Sequence, residues 1–280
     1  LFVFKYFDFF VNDIFRINLQ QTIFARIILP IGISFYTFQA VMYVVDVYKE
    51  KIHKITLQDF LVFFLFFPNL IAGPLVRPKS FLPQIKNLVI FSIKNFKTSL
   101  LLILWGFFLK LCISNNLTVY VGNVFNNISE LNSPTLMTGS FFYSFLIYSD
   151  FAGYSLIAIG IAKMIGINIP MNFNNPFFSN NLTQFWRRWH ISLSNFLRDY
   201  LYIPLGGSRF GLLSTCKNIL IVMLLGGLWH GASYNFLIWG VLHGIFLCIE
   251  KINNHFLKLN IKDKILKKIY VFILVTIIFI

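Results

Sequence analysis

The stretch "GGLWHGASYNF", residues 226–236, puts a titratable side chain, His230, inside one of the most apolar parts of the chain. Apolar and small residues run on from it in both directions, so the histidine is either a satisfied core group or a group that chemistry needs. In a soluble core, a histidine bonded to a backbone carbonyl is the better reading. In a membrane segment an ionisable residue is costly and normally faces a polar cavity, which favours function. An apolar surround also favours the neutral ring, which can accept a proton. Gly226, Gly227 and Gly231 lack a Cβ and leave room for a ligand to approach the backbone. His230 is therefore the first candidate catalytic residue, with Trp229 and Asn235 beside it as candidate substrate contacts.

The whole composition decides between core and membrane. Of 280 residues, 57% are hydrophobic and only 12% charged, and mean hydropathy is +0.72. A soluble domain carries about 25% charged residues. The fold class is thus all-α, a polytopic integral membrane protein. Net charge is +14, but the basic residues sit in connections between apolar segments, the pattern of cytoplasmic loops. Nucleic acid is not the partner this implies; membrane lipid is. Cys112, Cys216 and Cys248 stand far apart, without zinc or disulfide spacing, and read as buried, inert thiols.

Charge and hydropathy also give a topology. The apolar stretch 23–48, interrupted by Pro30 and Gly32, closes with Lys49, Lys51 and Lys54. The run 60–76 closes with Arg77, Lys79 and Lys86, so both closing loops face the cytoplasm. A re-entrant hairpin broken at Pro68-Asn69 satisfies both, with its broken backbone buried in protein. Residues 98–113 form a span, 114–135 an external loop containing Glu130 but no Lys or Arg, and 136–163 the return. The polar, aromatic segment 164–217 lies on the cytoplasmic side, partly embedded. Residues 218–250 form two apolar arms hinged at "GGLWHG", the first, 218–229, too short to cross fully, which puts a buried His230 at membrane depth. Lys251, Lys258, Lys262, Lys264, Lys267 and Lys268 follow on the inside. The chain, 1–280, reads as a single membrane domain and as a fragment lacking N-terminal and C-terminal spans, since it starts at Leu1 and stops at Ile280 within an apolar run.

A second constellation lies in "FWRRWHISLSNFLRDYL", residues 185–201. Trp186, Arg187, Arg188, Trp189, Arg198 and Asp199 surround His190 there. An interfacial amphipathic helix accounts for the tryptophans and arginines at headgroup level. It does not account for His190. The arginines also suit the phosphate of an acyl carrier. Asp150 and Tyr154, in "SDFAGYS", either bond a neighbouring helix or line a channel for the acceptor. Lys110 is expected to snorkel. His243 reads as structural, because its thirteen-residue spacing from His230 does not put both on one helix face. No metal site is expected: there is no HxxxH, HExxH or cysteine pair. A transporter or channel is the rival class, disfavoured by the lack of an inverted repeat.

The chain resembles the membrane-bound O-acyltransferase family, in its alginate O-acetyltransferase-like bacterial branch. The resemblance rests on "LPIGISFYTFQAVMYVVDVY", "FFPNLIAGPLVRPKSFLPQ", "YSDFAGYSLIAIGIAKMIGI", "FWRRWHISLSNFLRDYLYIPLGG" and "LGGLWHGASYNFLIWGVLHG". It implies that His230 is the family's catalytic histidine and that His190 is the second functional one. It also implies an acyl thioester donor, acetyl-CoA or an acyl-carrier protein, on the cytoplasmic side of a bacterial inner membrane, with no bound cofactor. The acceptor is then an extracytoplasmic glycan or a periplasmic partner acetyltransferase, and the group transferred is acetyl. Leu156 departs from this: many acetylases have Asp after "GYS", whereas the D-alanine transferase of teichoic-acid assembly commonly has an apolar residue there. D-alanyl transfer is the alternative.

Overall fold

The computed structural model describes residues 5–7, 9–16, 32–69, 73–87, 92–257 and 264–279. Residues 23–31 with Pro30, and Lys258 and Lys262, lie outside the described residues. All regular elements among the described residues are helical: α1 (Ile33–Tyr48), α2 (Leu57–Phe64), α3 (Pro78–Lys86), α4 (Ile93–Phe107), α5 (Asn115–Asn126), α6 (Ser133–Met164), α7 (Leu182–Trp186), α8 (Ile191–Leu197), α9 (Gly211–His230), α10 (Tyr234–Ile252) and α11 (Lys264–Phe279). Among the described residues, four segments are long and apolar enough to cross a membrane: Ile93–Asn126, Ser133–Met164, Gly211–His230 and Tyr234–Phe256. The described residues fall into two compact units, one from Leu1–Val44 with Phe196–Leu259, the other from Val45–Asn195 with Asn260–Ile280.

In the second unit, α4 continues through a π-helical stretch, Phe108–Ser114, straight into α5. The loop expected over 114–135 is therefore mostly helix, and only Asn127–Asn132 separates α5 from α6. The polar residues here are satisfied within the helix: Asn116 Nδ2 donates to Cys112 O at 2.7 Å and Thr118 Oγ1 to Ser114 O at 2.9 Å. Cys112, expected to be buried, is exposed on this helix. Asn132 caps α6 by accepting from Thr135 N at 3.0 Å. Close helix crossing needs small residues, and a Cβ on Gly106 would stand 2.6 Å from Gly153 O while one on Gly153 would stand 2.8 Å from Gly106 O. Lys110 does not snorkel. The π-helical stretch brings it to α6, where its Nζ meets Asp150 Oδ1 at 2.6 Å. Helix α2 ends at Phe64, and a 3-10 turn, Phe67–Asn69, follows with Pro68 and Asn69 buried.

In the first unit, α9 starts at Gly211 rather than near residue 218 and has 20 residues. The arm expected to be too short is long enough to cross. The polar residues at its start cost little, because Thr215 Oγ1 donates to Gly211 O at 2.8 Å and Asn218 Nδ2 to Gly207 O at 2.9 Å. The chain reverses after His230, with Gly231 and Ser233 extended, and returns as α10.

Candidate functional site

His230 is the last residue of α9. Its ring lies 4.9 Å from Trp229, 5.1 Å from Trp239 and 6.1 Å from Phe236, measured between centroids. The sequence predicts a buried histidine. The residue has open surface where the helix stops and the chain turns away, while its ring is set among protein groups, with three aromatic rings around it. The glycines around it serve the hairpin rather than a ligand. A Cβ on Gly227 would stand 2.2 Å from Phe236 O, one on Gly240 2.5 Å from Met223 O, and one on Gly231 2.2 Å from the Phe236 ring. The α9–α10 approach is thus backbone on backbone, and it aims Trp239 at His230.

His243 is the fully buried histidine of this pair, at 0% exposure. Trp239 lies against it too, with centroids 4.6 Å apart. The thirteen-residue spacing separates the two histidines along any single helix, but the hairpin brings both within about 5 Å of the same indole. On the other side of α9, Trp229 stacks on Phe38 at 5.3 Å, and Phe38 stacks on Phe196 at 4.3 Å. Asn235 is exposed in the first turn of α10. Arg198 and Asp199, also in this unit, form a bidentate pair, Nε–Oδ1 2.7 Å and Nη2–Oδ2 3.2 Å. The hydrogen bond that Arg198 donates to the Asp199 carboxylate raises the guanidinium further above its ordinary range. Arg198 therefore already has a carboxylate, which leaves less of its charge for a phosphate.

Sequence inspection passed over two residues at this site, Lys5 and Tyr6. Lys5 Nζ donates to Trp229 O, and Tyr6 Oη donates to Leu228 O at 3.0 Å. The available signal was a lone cation in the apolar run "LFVFKYF".

The other candidates lie in the second unit. The stretch 185–201 is not one amphipathic helix. Asn181 Oδ1 accepts from Gln184 N at 2.7 Å while Gln184 Oε1 accepts from Asn180 N at 2.7 Å. This reciprocal cap fixes the start of the short α7. The chain then turns at Arg187–His190, and α8 begins at Ile191. His190 holds a left-handed backbone with φ 41°. The residue is 2% exposed, with the Phe151 ring edge-on at 4.6 Å. Trp189 is 5% exposed and is enclosed by Phe173 at 5.0 Å, Phe185 at 5.5 Å and Phe177 at 6.0 Å. Trp186 and Arg188 are half-buried and Arg187 is exposed; Arg188 Nη1 reaches Phe178 O at 3.4 Å.

A buried polar chain holds this turn in place. Ile191 N donates to Asn172 O at 2.9 Å. Ser192 Oγ donates to Asn172 Oδ1 at 2.6 Å, Asn172 Nδ2 to Ser155 Oγ at 3.1 Å, and Leu75 N to Ser192 Oγ at 2.9 Å. Beside it opens a cavity of ≈ 250 Å³, lined in part by Trp105, Tyr148, Leu156, Asn172, Asn174 and Asn175. Leu156 thus faces open space, where an aspartate would put a charge. Asp150 accepts from Lys110 and, at 3.1 Å, from Ser114 Oγ, so it bonds a neighbouring helix. Tyr154 is half-buried on α6. His190 and His230 belong to different units, and each is described within its own.

Comparison with known proteins agrees with this architecture. The membrane-bound O-acyltransferase family model matches residues 3–280. A probable alginate O-acetylase of Pseudomonas putida is 42% identical over 256 residues, covering 89% of this chain and 52% of that protein. A peptidoglycan O-acetyltransferase of Helicobacter pylori is 38% identical, covering 90% and 53% respectively. A teichoic acid D-alanyltransferase of Streptococcus thermophilus is 32% identical, covering 79% and 56%. The chain spans about half the length of these curated relatives. With four segments able to cross a membrane and a family match over nearly its whole length, the chain is a multi-pass membrane protein and belongs to the membrane-bound O-acyltransferase family.

Proposed function

We propose that the protein, a single membrane domain of the bacterial inner membrane, transfers acetyl groups outward. The donor is a thioester on the cytoplasmic side, acetyl-CoA or an acylated carrier protein. The acceptor is a hydroxyl of an extracytoplasmic polysaccharide, reached directly or through a periplasmic partner acetyltransferase. One observation carries this reading: His230 ends α9 as an exposed residue whose ring is fixed by Trp229 and Trp239. An imidazole so placed can act as a general base. It takes the hydroxyl proton as the oxygen attacks the thioester carbonyl. The tetrahedral intermediate then collapses, the C–S bond breaks, and the proton passes from His230 to the departing thiolate. His190, being buried, supports the reaction by position rather than by contact with substrate.

Acetyl rather than D-alanyl is supported by the relatives: two named as acetylases are 42% and 38% identical, the D-alanyltransferase 32%. Leu156 is the feature on the other side. Replacing His230 by Ala in the full-length protein is expected to abolish ester-linked acetyl on cell-surface polymers, while the protein still accumulates in the membrane. Acetyl esters at the normal level in that strain would refute the mechanism. Loss of D-alanine esters with acetyl unchanged would make D-alanyl transfer the function. Release of unmodified acetyl donor across vesicles, with no ester formed, would make the protein a transporter.

A further inference from the structure

The mechanism leaves one charged group beside His230 unused. The last four carbonyls of a helix have no intrahelical donor, and in α9 two of them, Leu228 O and Trp229 O, are met by the N-terminal segment. Tyr6 supplies a neutral hydroxyl, Lys5 an ammonium. Lys5 Nζ also lies 3.4 Å from Ser34 Oγ, 5.7 Å from the Trp229 ring centroid and 5.8 Å from that of Tyr6. Among the described residues these partners are all neutral, so the charge is held there by carbonyl, hydroxyl and ring faces. Desolvating an ammonium is costly. A capping role alone does not need the charge, as Tyr6 shows one carbonyl away. The negative end of the helix dipole favours a cation at this point, and the next residue along is His230.

We propose that Lys5 is a positioning residue for transfer at His230. Its ammonium pins the Trp229–His230 end of α9 and keeps a positive charge beside the ring, where the oxyanion of the tetrahedral intermediate develops. A fixed charge there stabilises the oxyanion more than the ground state, and by disfavouring the protonated ring it also drives the proton on from His230 to the departing thiolate, so its removal lowers kcat and leaves donor binding alone. The inference rests on the proposed His230 chemistry.

The test uses the full-length protein in membrane vesicles given cytosol and radiolabelled acetyl-CoA at varied concentration, scoring ester formed per unit of inserted protein. Lys5→Met removes charge and donor; Lys5→Gln keeps a donor for Trp229 O without the charge; Lys5→Arg keeps both. Loss of kcat by about tenfold or more in the first two is expected, with KM for acetyl-CoA within about twofold and Lys5→Arg within about threefold of wild type. Wild-type kcat in Lys5→Met or Lys5→Gln overturns the proposal, as does an Arg variant no better than Gln. Failure of both neutral variants to accumulate, while Arg accumulates with unchanged kcat, assigns Lys5 to folding and also overturns it. His230→Ala in the same vesicles separates the two levels. If it stays active, the His230 mechanism is wrong; if it is dead while Lys5→Met is normal, only the role of Lys5 is.

Discussion

His190 shows how much of a site one backbone angle can reveal. A non-glycine residue at φ 41° stores strain of order 1–3 kcal/mol and persists only where its surroundings hold it. Here they are the Asn172–Ser192–Ser155 hydrogen bonds and the Phe151 ring. The strain allows a test in which side chain and backbone are varied separately. His190→Ala keeps the strain and removes the ring, whereas His190→Gly removes both. Turnover per inserted protein is expected to fall by about 10²-fold in both variants if the buried ring supports the reaction by position. The glycine variant is expected to melt higher than the alanine one. Wild-type turnover in a folded His190→Gly protein takes the ring out of the reaction and leaves the turn as its only role. The motif "FWRRWHIS" drew attention to His190 from sequence, but the left-handed angle and the buried polar chain depend on Asn172 and Ser155, which no local pattern ties to it.

At the scale of elements, the α9–α10 hairpin aims the His230 ring. It depends on Gly227 and Gly240, each filled by the backbone of the opposite helix. Neither oxygen can rotate away as a side chain could. Gly227→Ala is therefore expected to destabilise the protein by about 1–3 kcal/mol and to lower turnover by separating Trp239 from His230. Thermal unfolding in detergent and the ester assay check the two effects; unchanged melting and turnover would show that the helices part freely. Sequence alone made α6 and the return through α10 plain, because long apolar runs are what a membrane helix demands. It misplaced the start of α9 and mistook α5 for a loop. In both places Asn and Thr look like loop residues, yet their side chains turn back onto carbonyls of their own helix or, for Asn218, of Gly207. The Lys110–Asp150 pair was missed for a related reason: it needs the π-helical stretch Phe108–Ser114 to bring the lysine round to α6.

For the whole molecule, membrane sidedness decides whether the proposed outward transfer is possible. Helix α6 has 32 residues, about 48 Å at 1.5 Å per residue, more than the roughly 30 Å hydrocarbon core. Its two ends must then emerge on opposite faces. Before it, the connection Asn127–Asn132 carries Glu130 and no cation; Lys163 stands in its last turn, and after it come Arg187, Arg188, Arg198, Arg209 and Lys217. The excess of cations assigns the second side to the cytoplasm. No candidate span lies between residue 164 and residue 211, so by the same charge rule α9 is expected to start on the cytoplasmic side and to carry His230 toward the outer face. Single cysteines at Glu130 and Arg209, both exposed, in a protein whose three native cysteines are replaced by Ala, read this directly. An impermeant maleimide on spheroplasts is expected to label position 130 and to reach position 209 only after the membrane is opened. The reverse pattern would put His230 near the cytoplasmic face, so that the acceptor hydroxyl rather than the thioester would have to cross the membrane to reach it.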